Sequence, residues 1–194
     1  MTLDEQKKAA RKAAFAARKT AFDACFAGAA NHLCDVLAQY RGRPLAGYMP
    51  IRTEIDPLPA MSEAVAFGPV GIPVIKAEGA PLQFARWTPQ TELVRGAFGA
   101  AIPHNPQFFE PEILIVPLVA FSRAGGRLGY GGGFYDRSLE GLRTRRATLA
   151  IGFAFAEQEF DDLPLEPTDQ PLDLIVTQNE VIIPKAIGHP NFQV

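Results

Sequence analysis

The chain has 194 residues, of which 47% are hydrophobic and 14 are phenylalanine, enough to bury a sizeable core within the size range of a single domain. A net charge of −2 and a pI near 5.9 exclude a general electrostatic affinity for nucleic acid or for an anionic membrane. Any anionic ligand must therefore be met by a local cluster of basic groups.

Residues 4–40 carry Phe15, Phe22, Phe26, Leu33 and Leu37 at spacings of 7, 4, 7 and 4, a helical stripe that predicts a long N-terminal helix broken near Gly28. On the same wheel Lys7, Arg11 and Arg18 fall within roughly 40° of one another and abut that stripe. Lys7 and Lys8 oppose the helix dipole in the first turns, which is mildly unfavourable unless an anion compensates. Cys25 and Cys34 lie in this Ala-rich stretch at a spacing that does not share one helical face, so no disulfide is expected and a reducing compartment is. Asp4 and Glu5 lead the segment, unlike a transit peptide, and no apolar run approaches the roughly 18 residues of a membrane span. A cytoplasmic protein is expected.

Further along, "PLAGYMP" (44–50) predicts a short buried strand, "PLPAMSEAV" (57–65) a helix with an early proline, and "VGIPVIK" (70–76) and "LQFARW" (82–87) two strands. Residues 91–111 are rich in Gly and Pro and read as an excursion. "ILIVPLVAF" (113–121) is the most apolar run and predicts one central strand. A helix over 134–143, a strand over 147–155, a loop over 163–171 and closing strands over 172–177 and 180–183 complete the order. Buried strands alternating with helices predict an α/β fold: a single domain over 1–194 with a mainly parallel sheet, helices on both faces in a Rossmann-like three-layer sandwich, and a long N-terminal helix.

The densest signal is "RLGYGGGFYDRSL" (127–139), where Gly129, Gly131, Gly132 and Gly133 crowd ahead of a helix. A strand, a glycine loop and a helix start offer backbone N–H groups to phosphate. The loop is not a P-loop, since no Gly-Lys-Ser/Thr closes it. It also fails the dinucleotide fingerprint, because Phe134 occupies the third glycine position and the loop lies late in the chain. A nucleotide-dependent dehydrogenase is thereby weakened. His32, His104 and His189 show no metal-ligand spacing and are assigned no chemistry. Trp87 reads as a core residue.

"VPLVAFSRAGGRLGYGGGFYDRSL" (116–139) resembles the signature segment of the 5-formyltetrahydrofolate cyclo-ligase family, also called methenyltetrahydrofolate synthetase. The basic N-terminal helix, "YMPIRTEID" (48–56) and "LPLEPTDQPLDLIVT" (163–177) fit the family's order. The resemblance implies conversion of 5-formyltetrahydrofolate and ATP, with Mg2+, to 5,10-methenyltetrahydrofolate, ADP and phosphate. It implies that Lys7, Arg11 and the segment Arg127, Leu128, Gly129, Tyr130, Gly131, Gly132, Gly133, Phe134 and Tyr135 bind ATP. Met49 and Glu54, with residues 130–134 of the loop, would contact the folate, and Asp136 and Asp173 would serve the metal.

No covalent nucleophile is implied: the γ-phosphoryl group activates the formyl oxygen and a folate nitrogen closes the ring. Partners would be small molecules alone, with no nucleic acid or membrane, and a monomer is expected. Ser122 stands where many relatives have Asp, and Tyr130 and Gly132 where some have basic residues. These departures keep open a non-catalytic folate- or nucleotide-binding relative.

Overall fold

A computed structural model describes residues 1–96 and 99–185; His189 lies outside them. Helix α1 (Leu3–Asp23) opens with a reciprocal cap in which the Thr2 hydroxyl accepts from the Glu5 amide and the Glu5 carboxylate accepts from the Thr2 amide, satisfying two of the helix's free donors. It ends at Asp23, and Gly28, at φ +98°, turns the chain into α2 (Asn31–Ala38). The stripe therefore runs over two helices and the turn between them: its α2 part, Leu33 and Leu37, is buried, but its phenylalanines are not the buried face of α1. Phe22 and Phe26 are exposed, while Lys7, Ala14, Arg18 and Ala21 are the buried residues of α1.

The remaining elements are β1 (Leu45–Ala46), α3 (Leu58–Ala64), β2 (Val70–Val74), β3 (Gln83–Arg86), β4 (Leu93–Arg95), β5 (Ala101–Pro103), β6 (Phe108–Phe109), β7 (Ile113–Pro117), β8 (Ala120–Phe121), β9 (Arg127–Leu128), α4 (Phe134–Arg145), β10 (Leu149–Phe153), a 3-10 turn at Ala156–Gln158, β11 (Leu174–Val176) and β12 (Val181–Ile182). One sheet runs in the order β12-β11-β10-β7-β1-β2-β3-β6. The neighbours from β11 through β2 pair in parallel, and β12, β3 and β6 add antiparallel edges. The Gly- and Pro-rich stretch at 91–111 contributes a β4–β5 hairpin and the edge strand β6.

Alternation along the strands divides the core. Leu45, Ile113, Ile115, Leu149 and Ile151 face one way, toward Leu33, Leu37, Ala60 and Met61 of α2 and α3, with Trp87 in the same cluster. Ala46, Leu114, Val116 and Ala150 face the other way, toward Leu139 and Leu142 of α4. Helices thus cover both faces, as buried parallel strands require.

The apolar run 113–121 is not one strand. After Pro117 the chain leaves the sheet and pairs β8 with β9 instead. Gln158, 1% exposed, bridges the break by donating to the carbonyls of Leu118 and Val119 at 3.0 and 2.9 Å. Two buried acceptors freed by leaving the ladder are thereby satisfied.

Two crossovers set the position of a cleft. From β1 the chain passes through α3 to β2 on one side, and from β7 through α4 to β10 on the other, with β1 and β7 adjacent. The strand order reverses there, and ligand crevices in open α/β sheets form outside the carboxyl ends of such a pair.

Candidate active site

A cleft of about 810 Å³ lies at this reversal point. The loop after β1 brings Tyr48, Met49 and Glu54 to one wall, α1 brings Lys7 and Arg11 to another, and residues 127–137 form the floor. The acidic loop Glu166–Asp169 borders the Lys7 side. Among the residues that the resemblance implied, all but Asp173 line this one cleft.

The glycines have identifiable neighbours. Gly131 and Gly133 adopt φ of +102° and +63°, a region that L side chains rarely enter. A Cβ at Gly131 would meet the Arg11 guanidinium at 3.4 Å, one at Gly133 would meet Arg137 at 2.6 Å, and one at Gly129 would meet Arg127 at 3.2 Å. Three arginine side chains thus lie against the loop. Arg11 Nε donates to the Gly129 carbonyl at 2.8 Å, and Arg137 donates to the Gly132 carbonyl at 2.6 Å. Gly133 is the N-cap of α4 and, lacking a side chain, makes no side-chain cap.

Charge at the floor is paired but not exhausted. Arg127, 5% exposed, donates through Nη2 to Asp136 Oδ1, and its buried Nε has no hydrogen-bond partner. A guanidinium donor left open in a buried site can be satisfied by a bound ligand or an ordered water. Lys7 is 6% exposed, with Nζ 2.6 Å from Glu166 Oε2 and 3.1 Å from Asp169 Oδ2. Burial alone would lower the pKa of this ammonium, but the hydrogen bonds and charges of the two carboxylates together hold it above the ordinary lysine value. The cation that opposed the helix dipole is compensated across the fold, by residues far along the chain.

The opposite wall is built around Glu54, 5% exposed. Its Oε2 accepts from the Ile51 amide at 2.9 Å and its Oε1 accepts from the Tyr130 hydroxyl at 2.8 Å. Burial pushes its carboxyl above the usual range, against the opposing pull of those two donors and of Arg18 and Arg52. Tyr130 is pushed up to about 12 by burial and by the Glu54 charge, so its hydroxyl keeps its proton at neutral pH. Tyr48 donates to the Ile55 carbonyl at 2.8 Å and fixes the loop that carries Met49 and Glu54.

Asp136 and Asp173 do not share a site. Asp173 precedes β11, where its Oδ2 accepts from Arg143 at 2.8 Å and from the Ala150 amide at 2.7 Å. Ala150 lies near the start of β10, and the parallel register places Asp173 at the amino end of the strands, away from the cleft. The other aspartate of the "TDQPLD" segment, Asp169, lines the cleft instead, and the Gln170 amide next to it donates to Asp136 Oδ1 at 2.9 Å. Asp173 was implied by the family resemblance alone, and the loop geometry that brings Asp169 inward has no linear signature. Among the described residues no three His, Cys, Asp or Glu side chains gather as a metal site. Asp136 and Asp169 put two carboxylates on this cleft, a number that magnesium commonly takes together with phosphate oxygens and water.

Two further residues were not assigned to the site from the sequence. Arg18 was legible only as a member of the basic helical face, and Arg137 carried no signal beyond its place in the glycine segment. Ser122, the departure from the carboxylate found in many relatives, is buried and its hydroxyl accepts from the Gly126 amide at 3.2 Å, closing the β8–β9 turn. Its position is that of a turn-closing group.

Residues 4–178 match the model of the 5-formyltetrahydrofolate cyclo-ligase family. The chain is 34% identical over 147 residues to the 5-formyltetrahydrofolate cyclo-ligase of Escherichia coli K12, a match spanning 71% of this chain and 79% of the relative. It is 41% identical over 101 residues to the protein of that name from Haemophilus influenzae, a match spanning 49% of this chain and about half, 54%, of the relative. The structure of the 5,10-methenyltetrahydrofolate synthetase of Aquifex aeolicus superposes with a TM-score of 0.69 at 24% identity, covering 99% of this chain and 97% of that one, and shares its fold. Similarity over nearly the whole described chain makes the protein a member of the 5-formyltetrahydrofolate cyclo-ligase family.

Proposed function

We propose that the cleft converts 5-formyltetrahydrofolate to 5,10-methenyltetrahydrofolate with consumption of ATP in the presence of Mg2+. The observation that carries the reading is a single cleft lined together by the glycine loop at the start of α4, by Arg127, and by Lys7 and Arg11 of α1. Those are three donors for phosphate on one side of a cleft whose other side holds a buried carboxylate.

The residues suit the chemistry. Each oxygen of Glu54 already accepts one hydrogen bond and retains a second lone-pair site, so the carboxylate can take an N–H pair from a pterin edge while Met49 packs on its apolar face. On the other side Lys7, Arg11, Arg127 and the amides of the glycine loop hold the triphosphate. Asp136 and Asp169 would hold Mg2+, which neutralises phosphate charge when bound.

A formamide is a weak electrophile, and transfer of the γ-phosphoryl group from ATP to the formyl oxygen releases ADP and leaves an electron-poor carbon. The folate's N10 attacks that carbon. The C–O bond breaks, phosphate leaves with the former formyl oxygen, and the N10 proton is lost as the ring becomes a delocalised amidinium. No side chain forms a covalent bond; the protein contributes alignment and charge stabilisation. The test is incubation with 5-formyltetrahydrofolate, ATP and Mg2+ while following the methenyl chromophore. Product that requires all three is expected. Tight folate binding with no product under any of these conditions would favour the non-catalytic relative that the loss of a carboxylate at Ser122 suggested.

A further inference from the structure

Among the described residues Arg18 is the largest fully buried side chain, 1% exposed, yet its position on α1 places it beneath both walls of the cleft. Its Nε donates to Thr53 Oγ1 at 3.1 Å, and Nη1 donates to the Tyr130 hydroxyl at 2.7 Å while lying 4.0 Å from Glu54 Oε1. The guanidinium is stacked near the rings of Phe15 and Tyr130, at 5.1 and 5.5 Å from their centroids. The Tyr130 hydroxyl passes the contact on by donating to Glu54. One cation thus ties α1 to the glycine loop and to the loop after β1, the two segments that carry the nucleotide and folate contacts in the reading above.

We infer that Arg18 is a positioning residue, acting through Tyr130 and Glu54 to hold the two substrate loops in one register so that phosphoryl donor and formyl acceptor meet. The inference rests on the proposed folate reaction. Arg18 reaches neither substrate, because the Tyr130 ring, 40% exposed and lining the cleft, lies between. A displacement of about 1 Å between reacting groups is enough to cost roughly 100-fold in rate, whereas each substrate alone can still find its own wall. Loss of Arg18 therefore belongs in kcat, with ATP affinity little changed.

Arg18 also leaves an electrostatic signature. Glu54 is faced by Arg18 from α1, Tyr130 from the glycine loop, and Ile51 and Arg52 from its own loop, with Tyr48 and Tyr135 nearby. Removing the nearest buried cation lets burial raise the Glu54 carboxyl further. The acid limb of folate binding then moves toward neutral pH.

The experiment compares wild type with Arg18→Met, Arg18→Lys, Tyr130→Phe and Glu54→Gln. Folding is checked by circular dichroism and melting, ATP and folate binding by calorimetry across pH, and kcat at saturation. Arg18→Met is expected to lose about 10–100-fold in kcat, to keep ATP binding within about twofold, and to shift the acid limb of folate binding up by about one pH unit. Arg18→Lys should recover part of both effects, and Glu54→Gln should abolish the limb. If Arg18→Met does not fold, Tyr130→Phe carries the test, because it removes the link while leaving Arg18 in place, and a kcat loss of about tenfold is expected of it. A folded Arg18→Met with unchanged kcat and an unmoved limb, or a silent Tyr130→Phe, overturns the inference. Absence of methenyl product from wild type would instead overturn the reaction on which it rests.

Discussion

Lys7 and Arg11 stand one helical turn apart and are held differently: Lys7 by two carboxylates, Arg11 by a single carbonyl of the glycine loop. Both point into the cleft, whereas Lys12 is exposed. A charge-assisted contact to phosphate is worth roughly 1.5–3 kcal/mol. Lys7→Ala and Arg11→Ala should each raise the apparent constant for ATP about ten- to a hundredfold at saturating folate, while Lys12→Ala should change it by less than about twofold. Gly131→Val places a β-branched residue at φ +102° against the Arg11 guanidinium. It should cost about 10²–10³ in turnover through loss of aligned donors, with a much smaller change in melting temperature. That the glycines clear a close approach was legible in their density. That the approaching groups include three of the protein's own arginines was not, because they come from α1, β9 and α4 and meet only in three dimensions.

The reach of α1 depends on a thin contact. Ala14 is fully buried against Val119, Ala120 and Leu128 of the β8–β9 hairpin, so the helix carrying Lys7, Arg11 and Arg18 approaches closely because its buried face is small. Ala14→Phe should push α1 outward, destabilise the fold by about 1–3 kcal/mol, and weaken ATP binding without touching a ligand-binding residue. Denaturant melts and ATP titration on the same variant would show both effects together. The helix itself was legible from its periodicity, but periodicity assigned the buried face to phenylalanine. The break near Gly28 was legible as well, and the α2 part of the stripe is buried, so the miss is confined to the face of α1. Burying Lys7 and Arg18 also overrides the usual preference of charge for solvent, through partners at Glu166, Asp169 and Glu54 that no local pattern reveals. The apolar run 113–121 misleads in the same way. Both halves are buried, so hydrophobicity cannot mark where the chain leaves the sheet, and the side chain that permits the exit, Gln158, lies about forty residues later.

The sheet order brings these parts together. Alternating elements implied a parallel core with helices on both faces, and the reversal between β1 and β7 explains why segments near residues 7, 54, 130 and 169 converge at one edge. The same topology separates the two aspartates of the "TDQPLD" segment, since Asp169 reaches the carboxyl end of the strands and Asp173 stays at the amino end. Their variants should therefore behave differently. Asp136→Asn and Asp169→Asn should lose most turnover at limiting Mg2+ while remaining folded. Asp173→Asn should keep turnover and lose about 1–2 kcal/mol of stability with its bonds to Arg143 and the Ala150 amide. Measuring rate against Mg2+ and unfolding by denaturant for all three separates metal from structural roles.

The claim that this cleft activates a formyl oxygen by phosphoryl transfer is tested most directly by following that oxygen. 5-Formyltetrahydrofolate labelled with 18O in the formyl group, turned over with unlabelled ATP, should deliver the label into inorganic phosphate, one atom for each methenyltetrahydrofolate formed. Phosphate free of label, with the formyl oxygen released to water, would contradict the account.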